Sequence, residues 1–310
     1  MAEPYDIVVI GGGAAGFTAG MFAARDRQRV LLIEKFSAGG QVLNCEHIEN
    51  YPGFPDGIAG YSFGPQLQQQ AMNMGLEMKL AEVQSVRLDE NLKILQTDDG
   101  EVQAKALIIA PGSSFTKLNI PGEEEFLGNG VSHCASCDGA FFMDQPVVVV
   151  GGGDAALDEG LHLTQYASKV TIVHRREELR ACQLLQERVH DTEKIMFRWN
   201  TVLRAIEGEG TVQQVQLEDV KTGERSRLET SGVFLFIGLT PNTQFLQGLV
   251  PLNDCGQIIT DLWMRTSVPG ILAAGDVRHA SARQLVSSAG DGATAALAAI
   301  RHLQTGKWSS

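Results

Sequence analysis

Apolar and polar positions along this chain follow two rhythms, and the rhythms come twice in the same order. Tyr5-Asp6-Ile7-Val8-Val9-Ile10 is a short, mostly β-branched apolar run, the composition of a strand buried in a parallel sheet. Glycines interrupt it, and the spacing then predicts a helix over residues 14–25 and a second strand, Val30-Leu31-Leu32-Ile33, ending at Glu34. Residues 37–61 lose all periodicity, are rich in Gly, Pro and Asn, and predict an extended loop region. A helix is expected over 64–74 and strands over 78–88 and 92–97, with a hairpin turn at Asp98-Asp99-Gly100 leading into a strand over 102–110.

The pattern then repeats. Residues 146–150 predict a strand, 155–166 a helix and 170–173 a strand, while residues 212–238 echo the hairpin and closing strand of 92–112. This is an internal duplication with a spacing of 140 residues, each copy one nucleotide-binding unit. A last strand over 270–276 and an alanine-rich helix over 293–303, headed by Gly290-Asp291-Gly292, have no counterpart in the second copy and are expected to complete the first domain. The expected fold is α/β, with two Rossmann-like dinucleotide-binding domains. The first is discontinuous, over 1–113 and 241–310, and the second, over 114–240, is inserted in it.

At each strand–helix junction stands a glycine-rich turn, Gly11-Gly12-Gly13-Ala14-Ala15-Gly16 and Gly151-Gly152-Gly153-Asp154-Ala155-Ala156. In that context the glycines allow a tight turn and close approach of backbone to a pyrophosphate, which the helix N-terminus then receives. Glu34, 23 residues after Gly11, is placed to accept from a ribose diol. The same count from Gly151 reaches His174, followed by Arg175, Arg176 and, one turn on, Arg180. Guanidinium groups bind phosphate, whereas an acid repels it. The first site is therefore expected to take an unphosphorylated adenosine, as in FAD or NAD, and the second NADPH. A solvated basic helix start is the alternative for the arginines.

Composition narrows the class. A net charge of −12 argues against nucleic acid or an anionic membrane surface as partner. No apolar run reaches the roughly 18 residues of a membrane span, and residues 1–10 lack a secretory pattern. Five cysteines with only two close together fit a cytosolic protein better than a secreted disulfide framework. The close pair, Cys134-Ala135-Ser136-Cys137, is followed by Asp138, a carboxyl able to shuttle a proton. Structural zinc lacks a second ligand pair at suitable spacing, so no metal is expected; a redox-active pair is the strongest reading. Cys45, Cys182 and Cys255 are read as small buried hydrophobes, and Glu123-Glu124-Glu125 and Asp158-Glu159 as solvated faces.

Together these segments resemble the low-molecular-weight thioredoxin reductases over nearly the full length. The resemblance rests on Gly11–Gly16, Gly39-Gly40-Gln41, Tyr51-Pro52-Gly53-Phe54-Pro55, Cys134–Gly139, Gly151–Asp154, His174-Arg175-Arg176 with Arg180-Ala181, and Gly275-Asp276-Val277 with Arg283-Gln284. It implies FAD in the first site, with Gly11, Gly13, Ala14, Ala15, Gly16, Glu34, Gly40, Gln41, Asn50, Asp276, Arg283 and Gln284 around it. It implies NADPH in the second, with Gly151, Gly153, Asp154, Ala155, His174, Arg175, Arg176 and Arg180. Also implied are a cytoplasmic homodimer, thioredoxin or a thioredoxin-like protein as partner, and a hydride passing from NADPH through FAD to the pair. Cys137 would lie nearer the flavin, Cys134 would attack the partner disulfide and Asp138 would act as acid/base. Domain rotation about Gly112-Ser113 and residues 238–242 would let the thiols and NADPH take turns at one flavin. Pro111 and Ser113, and Ala282 before Arg283, depart from the family pattern where FAD packs. Alternatives are a dithiol oxidase using oxygen, a ferredoxin-fed reductase, which the three arginines disfavour, and a flavin-binding redox sensor without turnover.

Overall fold

The computed structural model describes residues 3–45, 47–246 and 248–308. The chain divides into two compact units, Met1–Ser114 with Thr240–Ser310, and Phe115–Leu239.

In the first unit, β1 (Tyr5–Ile10), α1 (Ala14–Arg25), β2 (Val30–Glu34) and β3 (Glu77–Leu80) make a parallel strand–helix–strand core. The stretch expected as one strand over 78–88 is two. β3 extends the parallel sheet, whereas β4 (Val83–Asp89) turns back to pair with β5 (Leu92–Thr97) in an antiparallel hairpin. β6 (Gly100–Ile109) serves both arrangements. Its first half pairs antiparallel with β5, and residues 104–109 pair parallel with β1 and, at 107–109, with β17 (Ile271–Ala273). The central residues Ile7, Val8, Val9, Leu107 and Ile108 are fully buried, as the unbroken apolar runs require.

Two helices begin earlier than the sequence pattern predicts. α2 runs from Gly60 to Asn73 with Pro65 inside it. Its start is anchored by the Gly60 N–H donating to the Cys45 carbonyl at 2.9 Å and by buried Phe63, so tertiary contacts set its first turn ahead of the proline. α6 spans Leu285–Thr305, which puts Gly290-Asp291-Gly292 inside the helix and not at its head. Glycine is needed at position 292 because a Cβ there would lie 2.1 Å from the Ala15 carbonyl oxygen. The small residues Ala295, Ala296 and Ala299 continue the buried face of α6. The aperiodic stretch 37–61 is ordered by its own cluster, with Val42, Ile48 and Phe63 buried and Tyr51 edge-on to Phe63 at 4.9 Å.

The second unit repeats the plan. β9 (Pro146–Gly151), α4 (Asp154–Leu163), β10 (Lys169–Val173), α5 (Gln183–His190) and β11 (Ile195–Arg198) come in the same sense, and the sheet is completed by β15 (Gly232–Phe236) and β8 (Val131–Ser132). α4 stops three residues short of the expected end at Tyr166. β12 (Thr201–Glu209), β13 (Thr211–Asp219) and β14 (Arg225–Glu229) form a separate antiparallel sheet covering one face, while α4 and α5 cover the other. The remaining helix, α3 (Ala135–Asp138), is a single turn carrying the cysteine pair. The two chain crossings are β7 (Ser113–Phe115) and β16 (Leu239–Pro241), which pair as a ribbon. Asn242 pins the first unit's side of it, its backbone N–H donating to Gly112 and its side chain to Pro111.

Candidate functional site

The first glycine turn brings its expected residues together. α1 has Gly13 as N-cap with no side-chain cap, so its first N–H groups are left to a ligand. Gly16 is required by close packing, since a Cβ would lie 1.8 Å from the Gly11 oxygen. Glu34 accepts the Gly12 N–H at 2.6 Å through one oxygen and the Phe36 N–H at 2.8 Å through the other. A carboxylate has about four acceptor positions, so lone pairs remain for a ribose diol. The Gly39 N–H donates to the Gly12 carbonyl at 2.8 Å, which lays Gly40 and Gln41 beside the turn.

A second group closes the same end of α1. Gly275 packs on Ala15, which sets Asp276 next to the turn. Burial pushes the Asp276 carboxyl above the usual range, opposed by hydrogen bonds from Ser281 and Ser288 and by the charge of Arg283. Gln284 caps α6 and accepts from the Asn50 amide at 3.2 Å, uniting two candidates that are 234 positions apart. Arg283 is exposed and left-handed at φ 54°. Gln41 donates to the Ser113 carbonyl at 3.1 Å, so the departure from the family pattern at 113 keeps a backbone partner there.

Arg278 and Asp291 were not expected here. The Arg278 guanidinium grips the Asp291 carboxylate with two bonds, at 2.6 and 2.9 Å, and Asp291 also accepts the Gly275 N–H at 3.1 Å. With side chains 15% and 9% exposed, this fork holds the turn that presents Asp276. Asp291→Ala strands a buried cation and is expected to lower unfolding stability by about 3–5 kcal/mol. Denaturant titration checks this, and a loss under about 1 kcal/mol would refute it.

The second glycine turn has the same backbone plan with different side chains. Gly153 caps α4 without a side-chain bond. His174 does not point outward as a phosphate ligand would. It is 5% exposed, sits against Gly152, and contacts the Glu178 carbonyl through Nε2 at 3.1 Å. Burial, reinforced by the neighbouring arginines and opposed by that hydrogen bond, lowers its pKa and favours the neutral ring. It supports the turn. Asp154 likewise turns to protein, accepting the Cys182 N–H at 2.7 Å, while the Arg180 N–H donates to Gly152 at 2.7 Å. Arg175, Arg176 and Arg180 are exposed. Ala155 is exposed in the first turn of α4.

Cys134 and Cys137 form a disulfide across α3. Cys134 is the N-cap, and its sulfur accepts the Cys137 N–H at 3.2 Å. Cys134 is 9% exposed, whereas Cys137 is exposed. Asp138 is half-buried and lines a cavity of about 910 Å³, with Phe141, Phe142 and residues of β13 on its walls. His133 stacks on Phe115 and reaches the Leu235 carbonyl at 3.0 Å. Two acids read as solvated are not. Glu123 is 4% exposed and accepts backbone N–H groups of Leu118, Asn119 and Ile120. Glu159 is half-buried and accepts the Ala135 N–H at 2.7 Å. The periodicity carried that signal, because Ala156, Gly160 and Leu163 lie on the same helical face. Cys45, Cys182 and Cys255, expected to be buried, are all exposed. No helix is long and apolar enough to cross a membrane, and no group of three or more His, Cys, Asp or Glu is placed to hold a metal, among the described residues.

Comparison with known proteins gives the family. Residues 5–297 match the family described as pyridine nucleotide-disulphide oxidoreductase. The chain is 44% identical over 308 residues to the thioredoxin reductase of Treponema pallidum (strain Nichols), covering 98% of this chain and 99% of that one. It is 45% identical to that of Bacillus subtilis (strain 168), covering 94% and 92%. The crystal structure of Lactococcus lactis thioredoxin reductase superposes with a TM-score of 0.94 at 42% identity, covering 97% of this chain and 99% of that one.

Proposed function

This chain belongs to the pyridine nucleotide-disulphide oxidoreductase family, and from that premise we propose how its residues carry out the work of a thioredoxin-disulfide reductase. It reduces the disulfide of thioredoxin, with Cys134–Cys137 as its redox-active disulfide. It uses a flavin and a nicotinamide nucleotide. The flavin nucleotide is FAD, held by the Gly11–Gly16 turn, Glu34, the Gly40-Gln41 segment and the rim of Asn50, Asp276, Arg283 and Gln284. The nicotinamide nucleotide is NADPH, held by the Gly151–Gly153 turn, with its 2′-phosphate on Arg175, Arg176 and Arg180. When bound, FAD supplies a two-electron relay between the nicotinamide and the disulfide.

The single observation that carries the exchange step is the contrast between the two sulfurs. Exposed Cys137, once reduced, attacks the outside disulfide as a thiolate and forms a mixed disulfide, releasing one partner thiolate. Cys134 then attacks the Cys137 sulfur, re-forming the internal disulfide and releasing the second partner thiolate. The Cys137 N–H steadies the Cys134 thiolate until it does so. The two protons leave with the partner, and Asp138 is the carboxyl in place to relay them.

The partner is thioredoxin or a thioredoxin-like protein, met by the wall of the cavity that contains Asp138 and by Phe141, whose ring is 78% exposed. Phe141→Ala is expected to raise KM for thioredoxin by about tenfold and to change kcat by less than about twofold. An unchanged KM would remove Phe141 from the docking surface. The assay that tests the whole reading is NADPH oxidation with thioredoxin as acceptor, and no turnover with any thioredoxin would overturn it. The chain works as a homodimer in the cytoplasm; light scattering of the purified protein checks the first and cell fractionation the second.

A further inference from the structure

Glu159 stands at a junction that the exchange reaction does not by itself explain. It is the sixth residue of α4, the helix whose N-terminus begins at the Gly151–Gly153 turn. Its carboxylate reaches α3, where it takes the Ala135 N–H at 2.7 Å. Ala135 is the first residue of α3 and follows Cys134 directly. The cysteine on the other side of that contact is also held, since the Cys134 N–H donates to the Ser132 hydroxyl at 3.0 Å and that hydroxyl reaches the Cys134 carbonyl at 3.2 Å. The thiol segment is thus fixed by a neutral hydroxyl before Cys134 and by a charged carboxylate after it.

We propose that Glu159 is a positioning residue for the Cys134–Cys137 pair, holding the first turn of α3 and keeping the pair strongly reducing through its charge. This deepens the reading of that pair as the exchange site and rests on it. A helix N-terminus stabilises a thiolate through its free N–H groups. Glu159 takes up the first of these in α3 and sets a negative charge at the residue that follows Cys134. Both effects work against the thiolate. A dithiol whose thiolate is stabilised is harder to oxidise, and its disulfide is the stronger oxidant. Opposing that stabilisation therefore favours the disulfide and makes the dithiol the better donor, as a reductase needs. Other ionisable groups on these elements are Asp138 on α3 itself, His133, which is tied to the Leu235 carbonyl, and Asp158, exposed next to Glu159 on α4.

The test is redox equilibration of the flavin-loaded protein in glutathione buffers at fixed pH, with the Cys134–Cys137 disulfide read by thiol labelling and mass. Glu159→Gln keeps an oxygen to accept the Ala135 N–H and removes only the charge. It is expected to shift the equilibrium toward the dithiol by about tenfold, or about 30 mV for a two-electron couple, with the melting temperature unchanged. Glu159→Ala is expected to shift it at least as far and to lower the melting temperature as well. Asp158→Asn removes the neighbouring charge on α4 and is expected to leave the equilibrium within about twofold. A Glu159→Gln equilibrium within twofold of wild type, a shift toward the disulfide, or an equal shift in Asp158→Asn would overturn the proposal. Failure of the underlying reading is separate, because it shows as wild-type protein that does not reduce thioredoxin, whatever the position of this equilibrium.

Discussion

Replacing Cys137 with serine is expected to abolish thioredoxin reduction, a loss of at least about a thousandfold, because the exchange needs both sulfurs of the pair. NADPH oxidation by an acceptor that takes electrons directly from the flavin is expected to persist, since the substitution leaves both glycine turns intact. Cys134→Ser is expected to be as inactive toward thioredoxin but different in kind. Its exposed Cys137 still attacks, and with no resolving thiol the mixed disulfide accumulates. Mass spectrometry of each variant mixed with thioredoxin distinguishes the two. If Cys137→Ser traps the partner and Cys134→Ser does not, Cys134 is the attacking sulfur, as the family resemblance implies, and the assignment from exposure fails. Residual turnover in both would remove the pair from the reaction.

Removing the three arginines together is the second large effect. Arg175→Ala, Arg176→Ala and Arg180→Ala combined should lower kcat/KM for NADPH by about a hundred- to a thousandfold, the equivalent of about 3–4 kcal/mol of charge-assisted phosphate bonding discounted for solvent exposure. NADH carries no 2′-phosphate, so its kcat/KM is expected to change by less than about threefold, and the preference between the two should nearly vanish. The comparison is made with both cofactors on the same preparations. A parallel fall for NADH would mean that the arginines support the fold of the second unit and do not read the phosphate. His174→Ala offers a contrast, since its ring lies under Gly152. Its loss should weaken both cofactors alike.

The residues that were legible in the sequence share one property, that their neighbours in space are their neighbours in the chain. β1, the Gly11–Gly16 turn, α1 and Glu34 lie within one strand–helix–strand unit, and period and glycine spacing locate them without reference to anything distant. The same holds for Gly151–Gly153 and for Cys134 with Cys137, where one helical turn puts the sulfurs in reach. The misreadings share the opposite property. α6 was expected to begin at its glycines because glycine punctuates helices in isolation, yet Gly292 is inside the helix to let it approach Ala15. Glu159 looked solvated because acids usually are, yet it serves the Ala135 N–H, which only folding brings to it.

What the sequence determined by itself is therefore the local chemistry: two nucleotide turns, an acid after one and a basic cluster after the other, and a pair of thiols. Short-range backbone sterics and helical spacing suffice for these. The tertiary structure decided which of those groups face a ligand and which face the protein. It turned His174 inward, set Asp276 beside the first turn through the Arg278–Asp291 fork, and exposed Cys137 while burying Cys134. It also brought Glu159 to the cysteine pair across 24 positions of chain. Long-range hydrogen bonding has no period in the sequence, so these assignments arise only when distant segments pack.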